Sequence, residues 1–178
     1  MPGLSLDSAD PARNIGIGRV DSRGSLLDVD SLPAMLVRAK SQNSALRLKV
    51  NTVVNALNHH EDMSPIMHAL MPDRWKVLRM LQVVTTDLAV SSENFLAFVA
   101  RHDAFHDVMC VEGNDDMTES YIMIDPLGRF FQNATGQKGY HYSSPIDVIG
   151  AERAFSEWRF SAGTYAARYR GALVVGRE

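Results

Sequence analysis

The chain predicts an α/β fold, on three observations. Residues 45–54 alternate, with Leu46, Leu48 and Val50 set against Arg47, Lys49 and Asn51, which is the period of a strand. Residues 74–82 alternate in the same way, with Arg74 and Lys76 on one face and Trp75, Val77 and Leu81, then Val83, on the other. Between the two runs, Ser64 and Pro65 open a helix through Ile66, Met67, Ala69 and Leu70 that must stop before Pro72. Two strands joined by a short helix form a parallel βαβ unit, and parallel sheets are normally covered on both faces.

The remaining elements follow in chain order. Leu4–Asp7 reads as a short strand, and Pro11 breaks it off. Residues 14–20 read as strand or loop, and Gly16 and Gly18 form a lone G-x-G, a weak phosphate signal. Arg23 and Gly24 begin a polar turn. Asp30 and Ser31 cap a helix whose apolar face is Leu32, Met35, Leu36 and Ala39. Ser91 starts another helix, with Phe95, Leu96, Phe98 and Val99 as its buried stripe. Residues 108–111 read as a buried strand and 113–116 as a turn. Tyr121–Asp125 reads as a strand with Tyr121, Met123 and Asp125 on one side. Pro126–Gly128 then turns the chain into 129–133 as a hairpin. Residues 133–144 form a loop centred on Lys138. Two closing helices cover 149–158 and 162–169, the second capped at Gly171. No repeat, low-complexity tract or linker interrupts the chain, so residues 1–178 read as a single domain.

Composition narrows the function. The net charge is -3 and the isoelectric point about 6.1, which argues against a nucleic-acid partner. Cys110 is the one cysteine, so no internal disulfide forms and a reducing compartment fits. No apolar run reaches about 20 residues and no cationic start precedes an apolar core, so neither a membrane span nor a secretory signal is expected, and the cytoplasm is the default.

Lys49, Arg74 and Lys76, with Asn51 beside them, are the chemistry-bearing group. Buried cations need an anion. An internal carboxylate is one answer; a phosphate-bearing ligand, suited to Arg forks and Lys ammoniums, is the other. The run His59, His60, Glu61 and Asp62 reads as a solvated loop rather than a metal site. His102 and His106 lack the glutamate that a zincin helix places beside its first histidine. Cys110, in an apolar strand, reads as packing.

Several of these segments together resemble one family: 48–55 (Leu-Lys-Val-Asn-Thr-Val-Val-Asn), 61–63 (Glu-Asp-Met), 72–77 (Pro-Asp-Arg-Trp-Lys-Val), 120–125 (Ser-Tyr-Ile-Met-Ile-Asp), Arg129–Phe130 and 149–153 (Ile-Gly-Ala-Glu-Arg). The chain resembles viperin, a family of antiviral radical S-adenosylmethionine enzymes. Residues 5–8 and 17–19 are similar to the family's middle segment. The resemblance covers nearly all of this chain and about the C-terminal half of a full-length member.

The resemblance implies a partial (β/α) barrel of TIM type, of which this chain is the C-terminal half with a β-hairpin and terminal helices. It implies S-adenosylmethionine and a 4Fe–4S cluster as cofactors, and CTP or another nucleoside triphosphate as substrate. A deoxyadenosyl radical takes hydrogen from C4′, and the product is the 3′-deoxy-3′,4′-didehydro nucleotide. By position, Lys49, Arg74 and Lys76 match the cations on the triphosphate. Tyr121 matches a substrate-contacting tyrosine, and Lys138 a lysine on the loop that closes over the substrate; these two are the candidate catalytic residues. Ser5, Arg19 and Asn51 match residues that contact S-adenosylmethionine. Animal members reach the endoplasmic reticulum and lipid droplets through an N-terminal helix not seen here. The family's C-x3-C-x2-C cluster cysteines are not present either, and thiolates are what such a cluster requires. The expectation is therefore a fragment of a full enzyme, half of a split one completed by a chain bearing the cysteines, or a cluster-less nucleotide-binding protein. A different class, an interaction module with its cations paired internally, stands against all three.

Overall fold

The computed structural model describes residues 1–83, 85–133 and 139–170. They form two compact units, one of residues 1–80 and 87–112, the other of residues 81–86 and the chain from Gly113 onward.

The first unit runs β1 (Gly3–Ser5), α1 (Pro11–Ile17), α2 (Leu32–Gln42), β2 (Lys49–Val54), α3 (Ser64–Leu70), β3 (Arg74–Arg79), α4 (Ser92–Arg101), a 3₁₀ turn (Asp103–Phe105) and β4 (Met109–Glu112). Its four strands are parallel, in the order β1-β2-β3-β4. Strand order never reverses, which separates this sheet from doubly wound ones. Buried and half-buried residues alternate along β2, as its sequence period requires. Val50, Val54, Trp75 and Val77 form one core with Leu32 of α2, Met67 and Leu70 of α3, and Phe95 and Phe98 of α4. The helices thus cover a single face.

Trp75 is the centre of that core. It is fully buried, with the rings of Phe98, His102 and Phe105 edge-on to it. Its indole N–H donates to Thr52 Oγ1 at 2.9 Å, and the Thr52 hydroxyl donates to the Leu6 carbonyl at 2.7 Å. Two buried polar groups are thereby satisfied across three strands. His102 is also fully buried: Nε2 accepts the Met63 N–H at 2.9 Å, so Nδ1–H is the donor to the Phe98 carbonyl at 2.7 Å.

The second unit has a three-stranded antiparallel sheet, β5 (Met123–Ile124), β6 (Phe130–Asn133) and β7 (Tyr140–Tyr142), in that order. A short helix α5 (Asn114–Met117) precedes it, and α6 (Ile146–Ile149), α7 (Ala151–Ser156) and α8 (Ala162–Arg170) follow. Phe130, Ala154 and Trp158 make its core, with Phe155 and Phe160 packed on them. The described chain is therefore mixed α/β, with one parallel and one antiparallel sheet.

Several expected elements differ. Residues 11–17 are helical, not strand or loop: Asp10 caps the Ala12 N–H, Pro11 sits in the first turn, and Gly18 at φ 85 ends the helix. β3 ends at Arg79, whose guanidinium donates to the Val90 carbonyl, so Leu81 and Val83 are not part of it. Leu96 is 61% exposed, because Phe95, Phe98 and His102 already occupy the i, i+3, i+7 stripe. Met35 is likewise exposed, and Leu32 carries the packing of α2. β4 is only partly buried: Val111 is exposed and Glu112 is the buried residue. Residues 114–117 are a helical turn, with the Asp116 carboxylate accepting the Gly113 N–H. The expected loop after 133 contains a third strand, β7. The expected helix over 149–158 divides at Gly150, whose φ of 84 no helix accommodates. Gly171, the expected C-cap, lies outside the described residues.

Candidate functional site

Opposite the apolar core, the parallel sheet carries a polar face. Because its strands are in register, Ser5 pairs with Asn51 and Asn51 with Lys76, while Lys49 pairs with Arg74 and Lys76 with Cys110. Paired residues in a sheet point to the same side, so Ser5, Lys49, Asn51, Arg74, Lys76 and Cys110 share one surface. Asn51 Nδ2 and Lys49 Cε each lie 3.9 Å from where a Cβ on Gly3 would sit, so both side chains lean over β1. The predicted cations are thus brought together, on the flat of the sheet rather than at the carboxyl ends of its strands.

Their charges do not cancel. Lys76 Nζ lies 2.5 Å from Glu112 Oε1, and both side chains are largely buried. Among the described residues, neither Lys49 nor Arg74 has a carboxylate oxygen within 4.0 Å; Arg74 Nη2 donates instead to Cys110 Sγ at 3.4 Å. Three cations and one carboxylate leave two positive charges. Burial pushes the Lys49 ammonium below its usual range, and repulsion from Lys76 and Arg74 pushes it further, against the pull of Glu112.

A cleft of about 440 Å³ opens past the end of β1, lined by Ser5, Asp7, Asn14, Arg19, Leu26 and Leu27 among others. Ser5 and Arg19 therefore meet in one place. Arg19 Nε pairs with Asp7, whose other oxygen accepts the Val53 N–H at 2.8 Å. The loop under this cleft is held by Glu61, which is 8% exposed and accepts from Ser8 Oγ at 2.6 Å and the Ala9 N–H at 2.9 Å, and pairs with Arg13 Nη1 at 2.9 Å. Asn58 Nδ2 donates to the Asp7 carbonyl at 2.7 Å.

Tyr121 belongs to the second unit and precedes β5 rather than lying within a strand. Lys138 lies outside the described residues. His59 and His60 stack edge-on with ring centroids 5.2 Å apart, and no group of three metal-ligating side chains occurs among the described residues. Cys110 is half-buried on the polar face rather than packed in a core.

Sequence reasoning left Glu112 and Gln132 unnamed, gave Asp7 no role of its own, and read Glu61 as part of a solvated loop, whereas it is buried. Asp7 lies two residues past the end of β1, and an acidic residue near a strand's carboxyl end is a signal that could have found it. Glu112 and Glu61 meet partners 36 and 48 or more positions away, which no local pattern encodes. Gln132, fully buried on β6, has no hydrogen bond to either amide atom among the described residues.

No family model matches the chain. Curated relatives do. An S-adenosylmethionine-dependent nucleotide dehydratase of Psychrobacter lutiphocae is 39% identical over 172 residues, which are 97% of this chain and 57% of the relative. One of Pseudoalteromonas ulvae is 38% identical over 170 residues, 96% of this chain and 55% of the relative. One of the fish Siniperca chuatsi is 32% identical over 166 residues, 86% of this chain and 44% of the relative. The chain spans about half the length of the curated relatives it matches. Identity of this order, sustained over nearly every residue, places the chain in the viperin-like family of S-adenosylmethionine-dependent nucleotide dehydratases.

Proposed function

We propose that this chain supplies the triphosphate-binding face and part of the S-adenosylmethionine site of a radical nucleotide dehydratase, one that converts CTP or another nucleoside triphosphate to its 3′-deoxy-3′,4′-didehydro form. The observation that carries the reading is the surplus of two positive charges on the polar face of the parallel sheet. A polyphosphate provides that missing charge, with Arg74 as a fork and Lys49 and Lys76 as point charges. Glu112 holds Lys76 in place before the anion arrives. On the resemblance alone, Tyr121 and Lys138 are assigned to the substrate as well. Residues 1–178 act as one domain, the C-terminal part of a partial (β/α) barrel, in the cytoplasm.

Ser5, Asn51 and Arg19 bind S-adenosylmethionine. The residues present fit that ligand: the cleft is lined by hydroxyl, carboxylate, guanidinium and aliphatic groups, matching a ligand with a ribose, a sulfonium, a carboxylate and an aliphatic methionine chain. When bound, S-adenosylmethionine supplies the group that removes hydrogen from the nucleotide. An iron–sulfur cluster does not fit these 178 residues, which hold one thiol, already hydrogen-bonded by Arg74. Any cluster ligands come from a C-x3-C-x2-C segment outside them, in the same or a partner chain. That same single thiol favours a second reading, a nucleotide-binding protein without catalysis. Titration calorimetry with CTP tests the face shared by both: Lys49→Ala and Arg74→Ala each weaken binding about tenfold or more, and equal heats for variants and unaltered chain would refute the assignment.

A further inference from the structure

Two arginine–aspartate pairs in this molecule are built differently. Arg129 grips Asp125 with two nitrogens, Nε at 2.9 Å and Nη2 at 2.6 Å, so its fork is spent on a structural contact. Arg19 touches Asp7 through Nε alone. Its two terminal nitrogens have no partner among the described residues, and its side chain is 43% exposed in the wall of the cleft. Asp7 is 2% exposed and fixed on its far side: Oδ1 is taken by the Val53 N–H of β2, and its carbonyl by Asn58 Nδ2. Arg19 is also constrained at its backbone, since it follows left-handed Gly18 and its N–H donates to the Asn14 carbonyl at 2.7 Å.

A guanidinium is best used against a carboxylate or phosphate when its fork is pre-oriented. We infer that Asp7 is a positioning residue: anchored on the sheet, it holds Arg19 by Nε so that the terminal nitrogens stay available to an anionic group in the cleft beyond β1. Resting on the cofactor reading above, the anion is the aminoacyl carboxylate of S-adenosylmethionine, the one anionic group that molecule carries. Asp7 also offsets the Arg19 charge in the cleft.

Two adenosine thioethers separate this role from a purely structural one. S-Adenosylhomocysteine carries the carboxylate; 5′-methylthioadenosine lacks it. In calorimetric titrations of the full chain, Asp7→Asn, which keeps an acceptor for the Val53 N–H, weakens S-adenosylhomocysteine about tenfold to a hundredfold and leaves methylthioadenosine within about twofold. Arg19→Gln gives the same split, and the double variant loses no more than either single one. Equal losses for both ligands, or no loss for either, overturn the proposal while leaving the cofactor site standing. If the unaltered chain binds neither ligand, the cofactor reading fails and the proposal with it. Should Asp7→Asn not fold, the Arg19 side-chain resonances of the unaltered chain decide: Nε–H is protected from exchange before ligand is added, and rapid exchange there refutes the inference.

Discussion

The two faces of the parallel sheet share every strand and differ in almost everything else. On one, Val50, Val54, Trp75 and Val77 are fully buried under three helices. On the other, one residue along each strand, lie Lys49, Asn51, Arg74 and Lys76, half-buried with more positive charge than the described residues neutralise. The first face stabilises the fold and the second works against it. That is the pattern expected of a binding surface, where local strain or repulsion is relieved by the ligand.

Neighbours one residue apart test this division most sharply. Trp75→Ala removes the central ring of the core and the donor to Thr52, and should cost about 3–5 kcal/mol in urea unfolding. A loss under about 1 kcal/mol would mean the apolar face does not carry the fold. Lys76→Met removes the ammonium that lies 2.5 Å from the buried Glu112 carboxylate, at a cost of about 3 kcal/mol. Adding Glu112→Leu should recover most of that, since a buried pair replaced by apolar groups is often neutral. Failure to recover would show that Glu112 serves another contact that stability depends on.

Acidity probes the core side again. Burial holds the His102 imidazole below its ordinary range, with the Phe98 carbonyl and Asp62 pulling the other way. The unfolded chain therefore takes up a proton that the folded chain refuses. Stability is complete above about pH 6.5 and falls as pH drops through that value toward the depressed one, by up to about 1.4 kcal/mol per pH unit. Thermal unfolding between pH 7 and 5 measures this, and His102→Gln should flatten the slope; an unchanged slope would put the acid sensitivity elsewhere.

A smaller effect of unusual sign comes from Gln132. Replacing its unbonded buried amide by Met should raise stability by about 1 kcal/mol, and a loss instead would reveal a hydrogen bond that the fold needs. Smallest of all is Lys49→Gln, which removes a charge repelled by its neighbours. It should raise stability slightly, by at most about 0.5 kcal/mol for a half-buried, solvent-screened repulsion, and the gain should shrink in high salt. Because the folded-state ammonium is the stronger acid, the unaltered chain itself gains stability as pH rises from the depressed value toward the unfolded one near 10.4. Destabilisation by Lys49→Gln would mean that the lysine is paired after all.

Much of this was readable beforehand. α3 starts at Ser64 as expected, β2 and β3 lie within the expected runs 45–54 and 74–82 but are shorter, Lys49–Val54 and Arg74–Arg79, and the three cations do share a face. α1 was missed although Asp10, Pro11 and Gly18 are good helix punctuation, because Gly16 and Gly18 read as loop. β7 is three residues long, too short for alternation to register.

From the order of its residues alone, this chain determined which side chains face which way, since side-chain direction along a strand is a local property of period two. Charge balance is not local. Whether Lys49, Arg74 and Lys76 would each find a carboxylate depended on Glu112 arriving beside Lys76 from 36 positions away and, among the described residues, on none arriving within 4.0 Å of the others. The same holds for Asp7 taking one nitrogen of Arg19 and leaving two. Electrostatic pairing acts through space over a few ångströms, and only the folded arrangement of the strands sets those distances.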